Sequence, residues 1–199
     1  MIIQRRNKMR NDEMYLQLYI IRHAESQGNV DPDGDFDKSN PLLTPHGEAQ
    51  AKALGERFSG FENYTLYASP LTRAIKTAKC ISDKMIIDSE LLEWGVRQTE
   101  NGFEDFSESA EEALERAKKV IEKLKSRHNK KENVIIVTHG MYTQFLLKAA
   151  LEISDTMRFS VYNASVSKVN FSYDYPPKLA LQNDISHLKE TDGEKLFWM

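Results

Sequence analysis

The chain has 199 residues and a mass of 22.9 kDa, the size of one domain with its own core. Its 27 basic and 30 acidic residues leave a net charge of −3, which excludes a sequence-wide pull on nucleic acid or an anionic membrane, so any basic site must be local. The single cysteine, Cys80, excludes an internal disulfide and a thiolate zinc site and fits a reducing, cytoplasmic setting, and no stretch approaches the roughly 18 apolar residues of a membrane span.

Residues 1–13 are polar and charged with no apolar run, so they read as an N-terminal tail, not a secretory signal, and 14–199 as one domain. Residues 15–21 are rich in β-formers and end at Arg22-His23; a turn-rich loop, 24–42, follows. Thr44-Pro45 predicts a helix start, a hydroxyl cap followed by proline in the first turn, with Ala49, Ala53, Leu54 and Phe58 as its apolar face. Residues 64–68 predict a short strand, and Ser69-Pro70 a second cap-plus-proline start, with Leu71, Ala74, Ile75 and Ala78 at helical spacing. Residues 85–87 suggest another short strand. Ser109-x-x-Glu112 is a capping box opening an amphipathic helix over about 109–126, with Ala113, Leu114, Ala117, Val120, Ile121 and Leu124 as its stripe. Residues 133–138 form a short apolar run, as a buried parallel strand does; after His139-Gly140 a helix carries Tyr142, Phe145, Leu146 and Ala149. Two late strands are expected at 165–173 and 178–182. Strands alternating with helices predict a three-layer α/β/α domain with a mainly parallel sheet, and a small helical cap at about 94–128.

In such sheets ligands sit at the carboxyl ends of strands, which singles out Arg22-His23, Ser69 and His139-Gly140. Two arginines (Arg22, and Arg73 one turn into a helix), two histidines and Asn29 suit a dianionic phosphoryl group, because the forked arginine donors match phosphate oxygens. Gly140 adds a bare N–H at a helix N-terminus. Taken residue by residue, the alternatives are an exposed Arg-His pair and a histidine with a purely structural hydrogen bond.

The blocks Arg22-His23-Ala24-Glu25-Ser26-Gln27-Gly28-Asn29, LTPHGEAQA at 43–51, ASPLTRAIKTA at 68–78, VIIVTHG at 134–140 and Asn183-Asp184-x-x-His187-Leu188 resemble, in order, the motifs of the histidine phosphatase superfamily, or phosphoglycerate mutase-like family. The resemblance implies that His23 is the nucleophile taking the phosphoryl group, that Arg22, Arg73 and His139 clamp its oxygens, and that Asn29 adds a donor. It implies a glutamate as general acid and base; Leu91-Leu92-Glu93 matches the start of that motif, with Glu100 as the runner-up. The chain departs from the pattern at Ala24, Arg97 and Asn101, where glycines are expected. Of the other histidines, His46 is expected exposed, His128 solvated, and His187 in structural hydrogen bonds. No metal and no cofactor are required, since the arginines supply the positive charge.

The family includes phosphatases and sugar-phosphate mutases. The short stretch between Glu93 and His139 leaves room for one helix and a loop, hence a small cap and a site open to water, which favours a phosphatase. The expected activity is metal-independent hydrolysis of a small phosphorylated metabolite through a phosphohistidine on His23, releasing inorganic phosphate; the alternatives are mutase-type phosphoryl transfer and a catalytically weak protein that binds phosphorylated ligands. Nucleic acid and membrane partners are not expected, and the oligomeric state is left open. Asp31, Asp33, Asp35 and Asp37 would repel highly anionic substrates if their loop rims the pocket, and Trp94, Phe103 and Phe106 are candidates to touch the leaving group. The apolar Leu196-Phe197-Trp198 is expected to pack on the body or on a second chain.

Overall fold

The computed structural model describes residues 14–128, 130–154 and 156–188; the expected N-terminal tail and Leu196-Phe197-Trp198 lie outside the described residues. In chain order the elements are β1 (Met14–Arg22), α1 (Gln27–Val30), α2 (Pro45–Phe58), β2 (Tyr64–Ala68), α3 (Thr72–Ile81), β3 (Ile86–Ile87), a 3-10 turn (Ser89–Leu91), β4 (Val96–Thr99), β5 (Gly102–Asp105), α4 (Ala110–Arg127), β6 (Glu132–Thr138), α5 (Gly140–Leu151), β7 (Val166–Ser172) and β8 (Lys178–Asp184). One sheet runs β3-β2-β6-β1-β7-β8. Its first four strands are parallel and β7 and β8 are antiparallel at one edge.

Strand alternation builds the layers. Leu16, Leu18 and Ile20 of β1 and Val134 and Ile136 of β6 face α4 and α5, packing with Ala117, Ile121, Phe145 and Leu146. Ile21, Ile135, Val137, Leu66 and Ala68 face the other way, onto Leu54 and Phe58 of α2 and Ala74 and Ala78 of α3. Burial on both faces is why residues 134–137 read as an unbroken apolar run.

Register then sets the site. Arg22 pairs with Thr138 in parallel, and Ala68 with Val137. The three central strands therefore end level, with His23, His139 and Ser69 leaving the same edge of the sheet.

The structure differs from the sequence reading in four places. Thr44 caps α2 as expected, accepting from Gly47 N at 2.9 Å, but the buried face of α2 is Gly47, Gln50, Ala51, Leu54 and Phe58, and Ala49 is exposed. The helix is turned so that the Gln50 amide oxygen reaches Glu25 N at 2.9 Å. Ser69 does not cap α3: that helix begins at Thr72, whose N–H donates to Asn40 Oδ1 at 2.8 Å. The 94–128 segment divides in two. Helix α4, opened by the Ser109–Glu112 capping box, packs its stripe into the main core, and what projects is the β4–β5 hairpin. His128 is buried, with Nε2 3.0 Å from Tyr67 Oη, and Cys80 is exposed on α3.

Gly47 shows how tightly α2 is set against the loop after β1: a Cβ there would lie 1.9 Å from Glu25 O. A main-chain atom cannot swing aside as a side chain does. Gly47→Ala is expected to lower stability by about 2 kcal/mol or more by urea unfolding and to lower activity with it. Gly60→Ala, where a Cβ meets nothing within 4 Å, is expected to leave both unchanged; equal behaviour of the two variants would contradict this packing.

Candidate active site

His23 is buried at the end of β1, held by its own backbone: its N–H donates to Thr138 O at 2.8 Å, and its carbonyl accepts from Ala164 N at 3.2 Å and Asn163 Nδ2 at 3.1 Å. Ala164 makes the second contact from a left-handed conformation, φ 56°, a local strain the turn before β7 accepts next to the site. The imidazole orientation fixes its tautomer. Nδ1 lies 2.7 Å from Ala24 O, a pure acceptor, so Nδ1 carries the proton. Nε2 keeps a lone pair, to which Arg73 Nε donates at 3.2 Å.

The level strand ends place His139 beside it, ring centroids 5.1 Å apart. His139 Nε2 is 2.7 Å from Ser69 Oγ. Arg22 is tied by Nη1 to Val161 O at 2.8 Å. Its Nε would lie 3.2 Å from a Cβ at Gly140, so glycine at the start of α5 leaves the guanidinium its place. Three buried nitrogens at this edge, Arg22 Nε, Arg73 Nη1 and His139 Nδ1, have no hydrogen-bond partner among the described residues. Buried polar atoms are seldom left unpaired, and these three belong to the residues that neighbour the His23 ring.

The electrostatics follow from burial. Desolvation, then the charges of Arg73 and Arg22, hold the His23 imidazole well below its usual pKa of 6.5; desolvation and Arg73 do the same at His139. Both histidines are neutral at pH 7. Desolvation also draws Arg73 down to about 10, partly offset by the negative charge of Glu93, and it remains a cation.

Glu93 follows the 3-10 turn. Its Oε1 accepts from Tyr142 N at 2.8 Å and Trp94 N at 2.9 Å, and Oε2 from Met141 N at 3.3 Å, so it closes the N-terminus of α5. With Arg22, Gly140, Gln144, Arg158 and residues 159–162 it lines a cleft of about 610 Å³. Glu100 stands exposed in the β4–β5 turn. Asn29 caps the loop: its Oδ1 accepts from Ser26 N at 3.0 Å, Ser26 Oγ at 2.9 Å and Asn163 Nδ2 at 3.1 Å.

The structure thus gathers Arg22, His23, Asn29, Arg73, Glu93, His139 and Gly140 around one strand edge. The four aspartates of residues 31–37 are exposed and absent from the cleft lining. Trp94, Phe103 and Phe106 also stay out of it; Trp94 packs edge-on against Phe145 at 5.9 Å. Ser69, singled out at its strand end, positions His139. Sequence reasoning missed two contributors, Thr77 and Asn163. Thr77, one turn beyond Arg73, accepts from Ala24 N at 3.0 Å, and helical spacing carries that signal. Asn163 has no local signal. His46 is half-buried beside Gln50, and His187 accepts from Arg57 Nη1 at 3.0 Å, burial and that cation drawing it to about 4. Among the described residues no cluster of three or more His, Cys, Asp or Glu is placed to hold a metal ion, and no helix is long and apolar enough to cross a membrane.

The two neutral histidines make stability depend on pH. In the unfolded chain each takes up a proton below about 6.5, whereas in the folded chain it stays neutral to lower pH, so their contribution is present above 6.5 and lost as pH falls. Between pH 6.5 and 5.5 each is expected to remove about 1 kcal/mol. Urea midpoints at both pH values should fall less for His23→Gln than for the unsubstituted chain, and equal falls would contradict the buried neutral ring.

Comparison with known proteins agrees with this geometry. The family model of the histidine phosphatase superfamily (branch 1) matches residues 18–106 and 93–184. A Hydrogenobacter thermophilus protein provisionally named phosphoserine phosphatase 2 is 26% identical over 211 residues, covering 87% of this chain and 98% of that protein. An Erwinia tasmaniensis protein provisionally named phosphoglycerate mutase is 27% identical over 216 residues, covering 91% and 99%. The crystal structure of an Entamoeba histolytica phosphoserine phosphatase mutant in complex with phosphoserine superposes with a TM-score of 0.72 at 21% identity, over 87% of this chain and 100% of that one. With its family model matched across β1 to β8 and both histidines at adjacent strand ends, the chain belongs to the histidine phosphatase superfamily, branch 1.

Proposed function

We propose that the protein is a phosphomonoesterase acting on a small phosphorylated metabolite through a phosphohistidine on His23. The observation that carries this reading is the set of unpaired buried nitrogens of Arg22, Arg73 and His139 on the residues beside His23, whose Nε2 lone pair Arg73 Nε reaches at 3.2 Å. They match the equatorial oxygens of a phosphoryl group, where charge gathers in the transition state. As the substrate enters, its oxygens take over the Arg73 N–H and uncover Nε2. The ester enters as its monoanion and passes its proton to the Glu93 carboxylate; His23 Nε2 then forms the P–N bond, the P–O ester bond breaks, and Glu93 gives that proton to the leaving alkoxide. Glu93 next takes a proton from water; the hydroxide forms a P–O bond as the P–N bond breaks, and inorganic phosphate leaves carrying the Glu93 proton, with His23 and the carboxylate restored.

The cleft supports hydrolysis over transfer within the site. The hairpin of two four-residue strands that follows Glu93 contributes no residue to its lining, which leaves a phosphoenzyme open to water. Arg158 lines the cleft together with Arg22 and offers a second positive charge to a leaving group bearing a carboxylate, as the phosphoserine of the Entamoeba complex does.

Phosphate release from a panel of monoesters, measured with chelator present, is expected in the unsubstituted chain and absent in His23→Ala; release that survives the substitution removes the phosphohistidine. Conversion of 3-phosphoglycerate to 2-phosphoglycerate without release would make the protein a mutase, and binding without either reaction a phospho-ligand-binding protein. Arg73→Ala is expected to lower kcat about 10²- to 10³-fold, the usual loss for one oriented donor. Glu93→Gln is expected to slow alkyl phosphates far more than activated aryl phosphates, whose leaving groups need no proton; equal losses would remove Glu93 as the acid.

A further inference from the structure

Glu93 stands on a short connection between a single 3-10 turn and a small hairpin, which hold it through main-chain bonds such as Val96 N to Glu93 O at 3.2 Å. An ion pair contributed by α4 and the loop before it adds side-chain bonds to both sides of this connection. Arg116 grips Glu108 at two points, Nε to Oε1 at 2.8 Å and Nη2 to Oε2 at 2.9 Å. Its remaining terminal nitrogen, Nη1, donates to two main-chain carbonyls on the Glu93 connection, Glu90 O at 2.9 Å and Leu92 O at 3.0 Å. Glu108 holds the other side: its Oε2 accepts from Gly95 N at 3.0 Å and its carbonyl from the Trp94 indole at 2.9 Å. The residues on either side of Glu93 are therefore pinned to one pair, whose side chains are 17% and 5% exposed. The circuit closes through Tyr142, whose ring lies 3.9 Å from the Arg116 guanidinium and whose N–H donates to Glu93 Oε1 at 2.8 Å.

We infer that Arg116 and Glu108 are positioning residues for the acid–base step: they never reach the substrate, and they set where the Glu93 carboxylate stands against the leaving oxygen. The inference rests on Glu93 being the acid and adds which residues aim it. A lysine at 116 keeps the charge and loses the fork that bonds a carboxylate and two carbonyls together. A glutamine at 108 keeps the shape and loses half of the pair's charge.

The test compares Arg116→Lys and Glu108→Gln with Glu93→Gln on one alkyl and one activated aryl phosphate, with rates referred to folded protein. Both variants are expected to lower alkyl phosphate kcat at least 10-fold with less than a 3-fold change on the aryl ester and little change in KM, and Arg116→Lys combined with Glu93→Gln to be no slower than Glu93→Gln alone. Equal losses on both esters, or losses that multiply in the double variant, overturn the inference, because a purely structural role has no leaving-group dependence. Should Arg116→Lys not fold, Glu108→Gln decides alone. If Glu93→Gln itself lacks leaving-group dependence, the acid reading fails first; if it has that dependence and the other two variants do not, only the positioning inference fails.

Discussion

The parallel register of β2, β6 and β1 is the constraint on which the rest of the structure depends. Because Arg22 lies against Thr138 and Ala68 against Val137, three strands stop together and the next residues of each share one small volume. A slip of one residue would send each strand's side chains to the opposite faces of the sheet. The core forbids this: β1 and β6 are buried on both faces by different sets of helices, so Ile20 and Ile21 cannot exchange places without emptying two cores at once. The site inherits its accuracy from packing that takes no part in its chemistry.

What that accuracy holds is electrostatically unfavourable. Two guanidinium groups and two imidazoles are drawn out of water, with Glu93 the acidic group acting on both arginines. The imidazoles respond by staying neutral, and one of them, fixed by the Ala24 carbonyl, is left with its lone pair inward. Such an arrangement is tolerable because the surrounding layers supply the stability: fully buried Leu18, Ile20, Leu54 and Leu146 each contribute about 2 kcal/mol from apolar burial. The left-handed Ala164 is a further local strain borne by the same layers.

The parts legible in the sequence are those with a local cause. Strand β6 announced itself as an apolar run, α2 and α4 by their caps, and His23, Arg73 and His139 by standing at or just beyond strand ends. The misreadings come from groups whose role is decided by distant partners. Ser69 before proline has the local signature of a cap, yet its hydroxyl belongs to His139, 70 positions on. Ala49 and Gln50 compete for the same helix face, and the polar residue wins because Glu25 N must be paired. The amphipathic stripe of α4 has the same appearance on a cap as in the body of the fold; it takes β1 and α5 to decide. His128 resembles a solvated end residue until Tyr67 is placed above it. Asn163, which holds the carbonyl of His23 from 140 positions away, carries no sequence signal of its own.

The unpaired nitrogens beside His23 have a consequence for the phosphomonoesterase proposed above. In such an enzyme they would meet the phosphoryl oxygens and not the carbon skeleton, so free phosphate would satisfy them as fully as an ester. Affinity for the transition state and hold on the spent anion would then be one property seen at two moments. An enzyme built this way is slowed by its own success: the tighter the clamp, the longer the vacated phosphate lingers, and the more the surrounding phosphate concentration sets how much of it is free to start again.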